Sequence, residues 1–183
     1  MTFLNGLIQE GLKSSNVVPA GPTPIISTPC RFIGNGKITF GNRVFFGTKK
    51  GPDLYSMSQL VVGDGGEIDI GDDVVLNNNF YIFAYGAKIV ISMKTIIGSN
   101  LQIMSFNGHQ MNPSNRRKYD QPKSIYIGSN CWLGNNVTVL KGSIIGSDSV
   151  ISTGCIVNEK HKIPEKSIVK IESKNLSIEK LNF

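Results

Sequence analysis

Charge, histidine, cysteine and long apolar runs are all scarce in this chain. Only 17% of its 183 residues are charged. No apolar run approaches the roughly 20 residues that cross a bilayer as a helix, which excludes a helical membrane span. The stretch Met1 to Leu12 holds Glu10 and lacks the charged-then-apolar order of a secretory signal, so a soluble, cytoplasmic protein is expected. Three Cys are an odd number and give no sign of a disulfide framework. There are two His, one Trp, and no Ser-His-Asp motif, Walker loop, G-x-G-x-x-G or C-x-x-C. The chemistry left open is a single imidazole acting as general base without a metal.

What the chain does have is glycine, 20 residues of it, and a repeat. From Ile127, every sixth residue is a branched aliphatic: Leu133, Val139, Ile145, Ile151, Val157. Four residues after each of the first five stands a small or β-branched residue: Cys131, Val137, Ser143, Ser149, Cys155. A period of six is even, so a strand keeps the same face inward from one repeat to the next. It matches neither a helix nor a coiled coil. Short strands that turn at every sixth step coil into a parallel β-solenoid, whose repeats must stack because none buries its own apolar side chain. Six hits in one register set this apart from a buried β-meander. Cys131 and Cys155 then read as packed thiols.

The same register runs through Phe40, Phe46, Ile70, Leu76 and Ile82, with a companion row at Ile38, Val44, Val62, Ile68, Val74 and Phe80. Gly47 to Leu60 interrupts it, and near Phe83–Val90 it slips by three before resuming at Ile91, Ile97 and Ile103. The large early aromatics predict looser first coils. Residues 1–30 read as a short helix over 2–13 followed by a Pro-rich connection, 31–162 as the solenoid, and 163–183 as a tail with one more strand at Ser167–Ile171 and a weak helix in its last ten residues.

Residues 107–124 break the pattern most sharply. They are polar, and Pro113 and Pro122 bracket the basic run Arg116–Arg117–Lys118. A long insertion in a solenoid maps to a loop on one face, often the binding face. His109 opens this loop beside Gly108. His161 lies in a charged Lys-His-Lys tail and reads as solvated. Net charge is +6, concentrated in that basic run, near Lys123, and from Lys160 to Lys180. No aromatic stacking platform or nucleic-acid motif accompanies it, so a small polyanion or an acidic glycan suits this surface better than nucleic acid.

Four segments, Asn107-Gly108-His109, Ile127-Gly128-Ser129-Asn130-Cys131-Trp132-Leu133-Gly134, Leu140-Lys141-Gly142 and Ile145-Gly146-Ser147-Asp148-Ser149-Val150-Ile151, resemble the hexapeptide-repeat acyltransferase family, sugar O-acetyltransferase type. The likeness spans roughly residues 60–165. It implies an all-β fold, a left-handed parallel β-helix, in a homotrimer with sites between subunits. It implies acetyl-CoA as co-substrate, no metal, and a sugar or glycan hydroxyl as acceptor. His109 would be the general base, with Asn107, Arg116 and Arg117 on the acceptor side. Trp132, Asn135, Lys141, Thr153 and Lys160 would meet the acetyl-CoA, with Lys162 near its phosphates. Alternation puts the Trp132 indole outward.

The chain departs from the family pattern twice. Asn107 stands where an acidic residue is common, and Val169 to Lys174 replaces the usual Gly-x-Pro-Ala-like ending. Transfer to the nitrogen of an amino sugar and a non-catalytic scaffold or glycan-binding solenoid remain as alternatives. The γ-type carbonic anhydrases share the tube but need three His around zinc.

Overall fold

The computed structural model describes residues 17, 19–48, 56–172 and 175–180. The helix expected over 2–13 lies outside the described residues. The rest is a triangular tube of six coils, three strands to a coil. They are β1 (Ile25–Ile26), β2 (Cys30–Gly34) and β3 (Lys37–Phe40); β4 (Phe45–Phe46), β5 (Ser58–Val62) and β6 (Glu67–Ile70); β7 (Val75–Leu76), β8 (Tyr81–Ala84) and β9 (Lys88–Ile91). There follow β10 (Ile96–Ile97), β11 (Gln102–Met104) and β12 (Ile125–Ile127); β13 (Trp132–Leu133), β14 (Thr138–Leu140) and β15 (Ile144–Ile145); β16 (Val150–Ile151), β17 (Ile156–Val157) and β18 (Lys162–Ile163). β19 (Ser167–Glu172) begins a seventh coil, and β20 (Asn175–Lys180) turns back on it. Every third strand is a parallel neighbour, which builds three faces: a first through β1 and β19, a second through β2 and β17, and a third through β3 and β18. The rungs thus begin at Ile25, inside the stretch read as a connection, and end inside the tail.

The inward rows are those the period picks out. Ile127, Leu133, Val139, Ile145, Ile151 and Val157 are all buried, as are Cys131, Val137, Ser143, Ser149 and Cys155 between them. Each buried aliphatic contributes about 1.5–3 kcal/mol relative to exposure. Burial pushes all three thiols, Cys30, Cys131 and Cys155, above their ordinary range, and all are unbridged. The late coils repeat at 18 residues, as Asn130 over Asp148 shows, whereas earlier ones repeat at 21 and 30. Those wider coils hold the aromatics: Phe46 packs on Phe40 and Phe80 with ring centroids 5.5 and 5.1 Å apart.

The corners are set by backbone handedness. Where the third face turns to the first, the residue in the left-handed region is Arg43, Asp73, Lys94, Asn130, Asp148 and Lys166 in successive coils. Side chains along this corner pair between coils: Arg43 grips Asp73 through two 2.6 Å contacts, and Asn130 donates to Asp148 at 2.8 Å. From first to second face the corner residues are Asn79, Asn100 and Asn136. They form an amide ladder with bonds of 3.2 and 3.1 Å. Asn tolerates this conformation because its short polar side chain bonds locally. Asn100→Ala is therefore expected to cost about 1–2 kcal/mol, from left-handed strain on a Cβ residue plus the broken ladder. Chemical denaturation measures it, and Asn100→Gly, which breaks the ladder too but carries no left-handed strain, should cost less. Equal losses would place the whole effect in the ladder.

The last ten residues hold a strand where the sequence suggested a weak helix. β20 pairs antiparallel with β19 from Ser167 opposite Lys180 to Glu172 opposite Asn175. A helix that short lacks the length to offset its nucleation cost, while the open edge of β19 offers backbone groups that need partners. Among the described residues no helix is long and apolar enough to cross a membrane.

Candidate active site

The corner from second to third face carries the longest insertion, between β11 and β12, and it is built on glycine. Gly34, Gly65, Gly86, Gly108 and Gly142 all have positive φ. At Gly108, with φ +80°, a Cβ would meet nothing within 4 Å, so the requirement there is backbone conformation and not space. From this corner the chain leaves the tube as the long excursion, and His109 is the first residue out. Strands on either side of it are 36 residues apart, twice the 18 of a late coil, which is why the inward register survives the insertion.

The excursion is fastened at both ends. Lys123 N–H donates to Ser105 O at 2.9 Å and closes the neck. Phe106, 8% exposed, packs against a tilted Tyr85 ring at 4.9 Å and edge-to-face with Tyr119 at 5.8 Å. Asp120 receives the ammonium of Lys141, whose side chain is only 10% exposed and also donates to Gln121 O at 3.1 Å. Lys123 pairs with Glu159, one coil beyond Lys141. The Lys141 hydrogen bond holds the Asp120 carboxyl below its ordinary range, and Lys123 does the same for Glu159. Within the excursion Gln110 ties back twice, from its N–H to Lys118 O at 3.3 Å and from Nε2 to Tyr119 O at 3.1 Å. His109 itself is exposed.

The expected site residues fall into separate places. Asn107, Lys141 and Lys160 line one depression of about 290 Å³ with Met111, Leu140, Asn158 and Glu159. Lys141 was expected beside the acetyl donor; its ammonium is instead committed to Asp120 and Gln121, because a cation this buried needs a partner. Trp132 and Thr153 line a second depression of about 430 Å³, walled by Ile168, Lys170 and Ile171 of β19. Its floor is close-packed: a Cβ on Gly134 would come within 2.7 Å of Thr153 N. Trp132 points outward and is 58% exposed. Asn135 is a corner bracket, its Oδ1 accepting from Ser99 N–H at 2.8 Å. Arg116 and Arg117 line a third depression, on the excursion itself. Lys162 is exposed on the outside of β18. His161 is not simply solvated: its Nδ1 accepts from the Asn158 N–H at 3.1 Å, which locks the last corner.

Within one chain, then, the depression that Trp132 lines does not include His109. His109 follows the second face and Trp132 lies on the first.

Residues 124–159, the most regular coils of the tube, match the family model described as bacterial transferase hexapeptide (six repeats). Over that stretch the chain resembles the bacterial transferase hexapeptide family. The fold of this hexapeptide-repeat protein is the parallel β-helix that the period implied, left-handed as the family resemblance implied. Galactoside O-acetyltransferase of Escherichia coli is 33% identical over 97 residues, 49% of this chain and 46% of that protein. WbbJ of E. coli, named as a candidate lipopolysaccharide biosynthesis O-acetyl transferase, is 28% identical over 155 residues, 79% of this chain and 73% of its own length. A yeast candidate acetyltransferase is 36% identical over 96 residues, 51% of this chain and 47% of its length. The matches to the yeast protein and the galactoside enzyme thus span about half the length of those relatives.

Among solved structures, a hexapeptide-repeat-containing acetyltransferase of Vibrio cholerae complexed with acetyl coenzyme A superposes with TM-score 0.53 at 27% identity, over 61% of this chain and 58% of that one. The polysialic-acid-specific acetyltransferase NeuO superposes with TM-score 0.58 at 21% identity, over 92% and 86%, a likeness of fold alone. Among the described residues of the hexapeptide-repeat chain, no three His, Cys, Asp or Glu side chains converge as metal ligands would.

Sequence reasoning missed Lys170 and Ile171 in the Trp132 depression, and the ion pairs that fasten the excursion. The one signal for the latter was Asp120, the only acid between residues 107 and 124.

Proposed function

We propose that this protein is an acetyl-CoA-dependent acetyltransferase that acts on a hydroxyl of a sugar or glycan. The observation that carries the reading is His109, exposed at the root of an excursion that two ion pairs fasten to a rigid hexapeptide tube. The acetyltransferase names of the relatives, and the acetyl coenzyme A in the Vibrio cholerae complex, support the donor.

His109 takes the proton from the acceptor hydroxyl as its oxygen attacks the thioester carbonyl. Backbone N–H groups receive the developing oxyanion. The tetrahedral intermediate then collapses, the C–S bond breaks, and the imidazolium returns its proton to the CoA sulfur. No covalent enzyme intermediate is needed. Asn107, two residues before His109, is an amide and orients through hydrogen bonds without the charge that a carboxylate would set against imidazolium.

The donor lies along the Trp132 depression, its pantetheine arm on the indole and near the Thr153 hydroxyl. Two observations favour a homotrimer in which this depression meets His109 of a neighbouring subunit. The two residues sit on different parts of one chain. The outside of the first face is also a continuous apolar row through Ile25, Phe45, Val75, Ile96, Trp132 and Val150, four of which are at least 38% exposed. Rows of this kind mark interaction surfaces.

Calorimetric titration of acetyl-CoA tests the reading without any choice of acceptor. Saturable binding is expected, weakened roughly tenfold in Trp132→Ala by loss of aromatic contact. A folded protein that takes up no acetyl-CoA at millimolar concentration would remove the donor, and the reading with it.

A further inference from the structure

Four cations of this protein are held in ion pairs among the described residues. Arg43 is on Asp73, Lys88 on Asp69 and Glu67, Lys123 on Glu159, and Lys141 on Asp120. Arg116, Arg117 and Lys118 differ from the chain's other cations in forming its one run of three in a row. They are consecutive and exposed, and no carboxylate among the described residues pairs with them. The excursion's only acid, Asp120, is already taken by Lys141. Three adjacent like charges repel one another, and the fold leaves that repulsion standing.

These cations are also held in place. Arg116 donates from Nη2 to Met111 O at 3.1 Å. The turn beneath them is closed by Lys118 N–H to Asn115 O at 2.8 Å and capped by Asn112, which accepts from Ser114 N–H at 3.0 Å. Pro113 to Lys118 line a depression of about 350 Å³. The residue that follows His109 is bonded through both its backbone and its side chain to the carbonyls of Lys118 and Tyr119, so imidazole and cations ride on one knot of chain.

We infer that the acceptor carries a negative charge, a carboxylate or a phosphate, which Arg117 and Lys118, with Arg116 beside them, hold while its hydroxyl meets His109. This rests on the acetyl-transfer reading above. An unpaired cation cluster beside a base would draw anionic acceptors to the site and orient them there, while doing nothing for neutral ones. A planar guanidinium also suits either anion, since it can donate two parallel bonds to a carboxylate or a phosphate.

The test uses matched probes on the full chain: oligogalacturonate against its methyl ester, and glucose 1-phosphate against glucose. The anionic member of at least one pair should bind roughly tenfold or more tightly, as charge-assisted contacts do. The preference should shrink as salt rises. Which pair discriminates tells carboxylate from phosphate. Arg117→Gln combined with Lys118→Gln should abolish the preference while melting temperature and acetyl-CoA affinity stay unchanged. Equal binding of charged and neutral members, or a preference indifferent to these substitutions, overturns the inference. So does duplex DNA held more tightly than any saccharide through the same two residues. Acetyl transfer to neutral saccharides alone would leave the enzyme reading standing and remove this one. A persistent, Arg117-dependent anion preference in a protein that ignores acetyl-CoA would do the reverse, leaving an anion site on a protein that is not this transferase.

Discussion

His109→Ala is expected to leave the tube folded and to slow acetyl transfer by about 10²–10⁴-fold, the range that a positioned general base supplies. The fold should not notice the change. The side chain is exposed, it follows a glycine whose conformation fixes the exit from the tube, and the buried rows end before it at Ser105 and Phe106. Thiol release from acetyl-CoA with the first acceptor that supports turnover measures the loss, and circular dichroism confirms the β signal. Binding of acetyl-CoA should survive, because the base acts on the acceptor and the donor depression lies on another face. If turnover in the variant equals that of the parent protein, His109 is not the base.

Lys141→Met should bring a loss of similar kind from a residue that touches neither substrate. Its buried ammonium is what the stem of the excursion closes on, through Asp120 and Gln121 O. Methionine fills the space but offers Asp120 nothing. With one anchor gone, the His109 root shifts relative to the coils. A misplacement of about 1 Å in a reacting group costs on the order of 10²-fold in rate. The signature is a fall in kcat with acetyl-CoA affinity unchanged, together with faster tryptic cutting at Arg116, Arg117 and Lys118 in the native protein. Lys141→Arg, which keeps the charge, should recover part of both. An unaltered cutting rate would mean that the stem does not need this anchor.

The sign of the acid response follows from the same contact. Asp120 is held below the ordinary carboxylate range by the Lys141 hydrogen bond and then by the Gln121 N–H. A carboxyl depressed in the folded state contributes its stabilisation above the unfolded value and loses it as pH falls through the folded one. The anchor therefore holds across neutral and mildly acidic pH and fails only below the usual carboxylate titration, so an acid limb of activity at higher pH belongs to another group.

The tube was open to sequence reading because its rule is local. An aliphatic at each sixth place faces inward in any coil, whatever its neighbours are, so Ile127 to Val157 could be assigned without knowing which strand lies beside which. The slip near Phe83 was visible for the same reason, as extra residues at one corner. The Lys141–Asp120 contact obeys no such rule. Its partners are 21 residues apart, and their meeting depends on how the excursion folds back, which no period records. In sequence Lys141 has only the marks of an ordinary surface cation in a Leu-Lys-Gly turn, and its expected place beside the donor rested on the family resemblance alone. β20 was hidden differently. Nothing in Asn175 to Lys180 states that an unpaired edge waits at Ser167, and only the edge makes a strand of it. His161 was misjudged because a charged neighbourhood in sequence says little about a backbone N–H that finds the imidazole three residues on.

The neck of the excursion has the geometry of a detachable cassette. Ser105 and Lys123, bonded across it, are one late coil apart in sequence, and the rungs above and below meet in register as though nothing intervened. The tube's stability is written in its corners and inward rows, and the excursion's chemistry is written in residues that the tube never buries. A lineage built on this plan can exchange the excursion, in lengths that keep the phase, and inherit the scaffold unchanged. Lys141 and Glu159 then act as the socket: whatever is plugged in must present an acid and a base to them at its far stem.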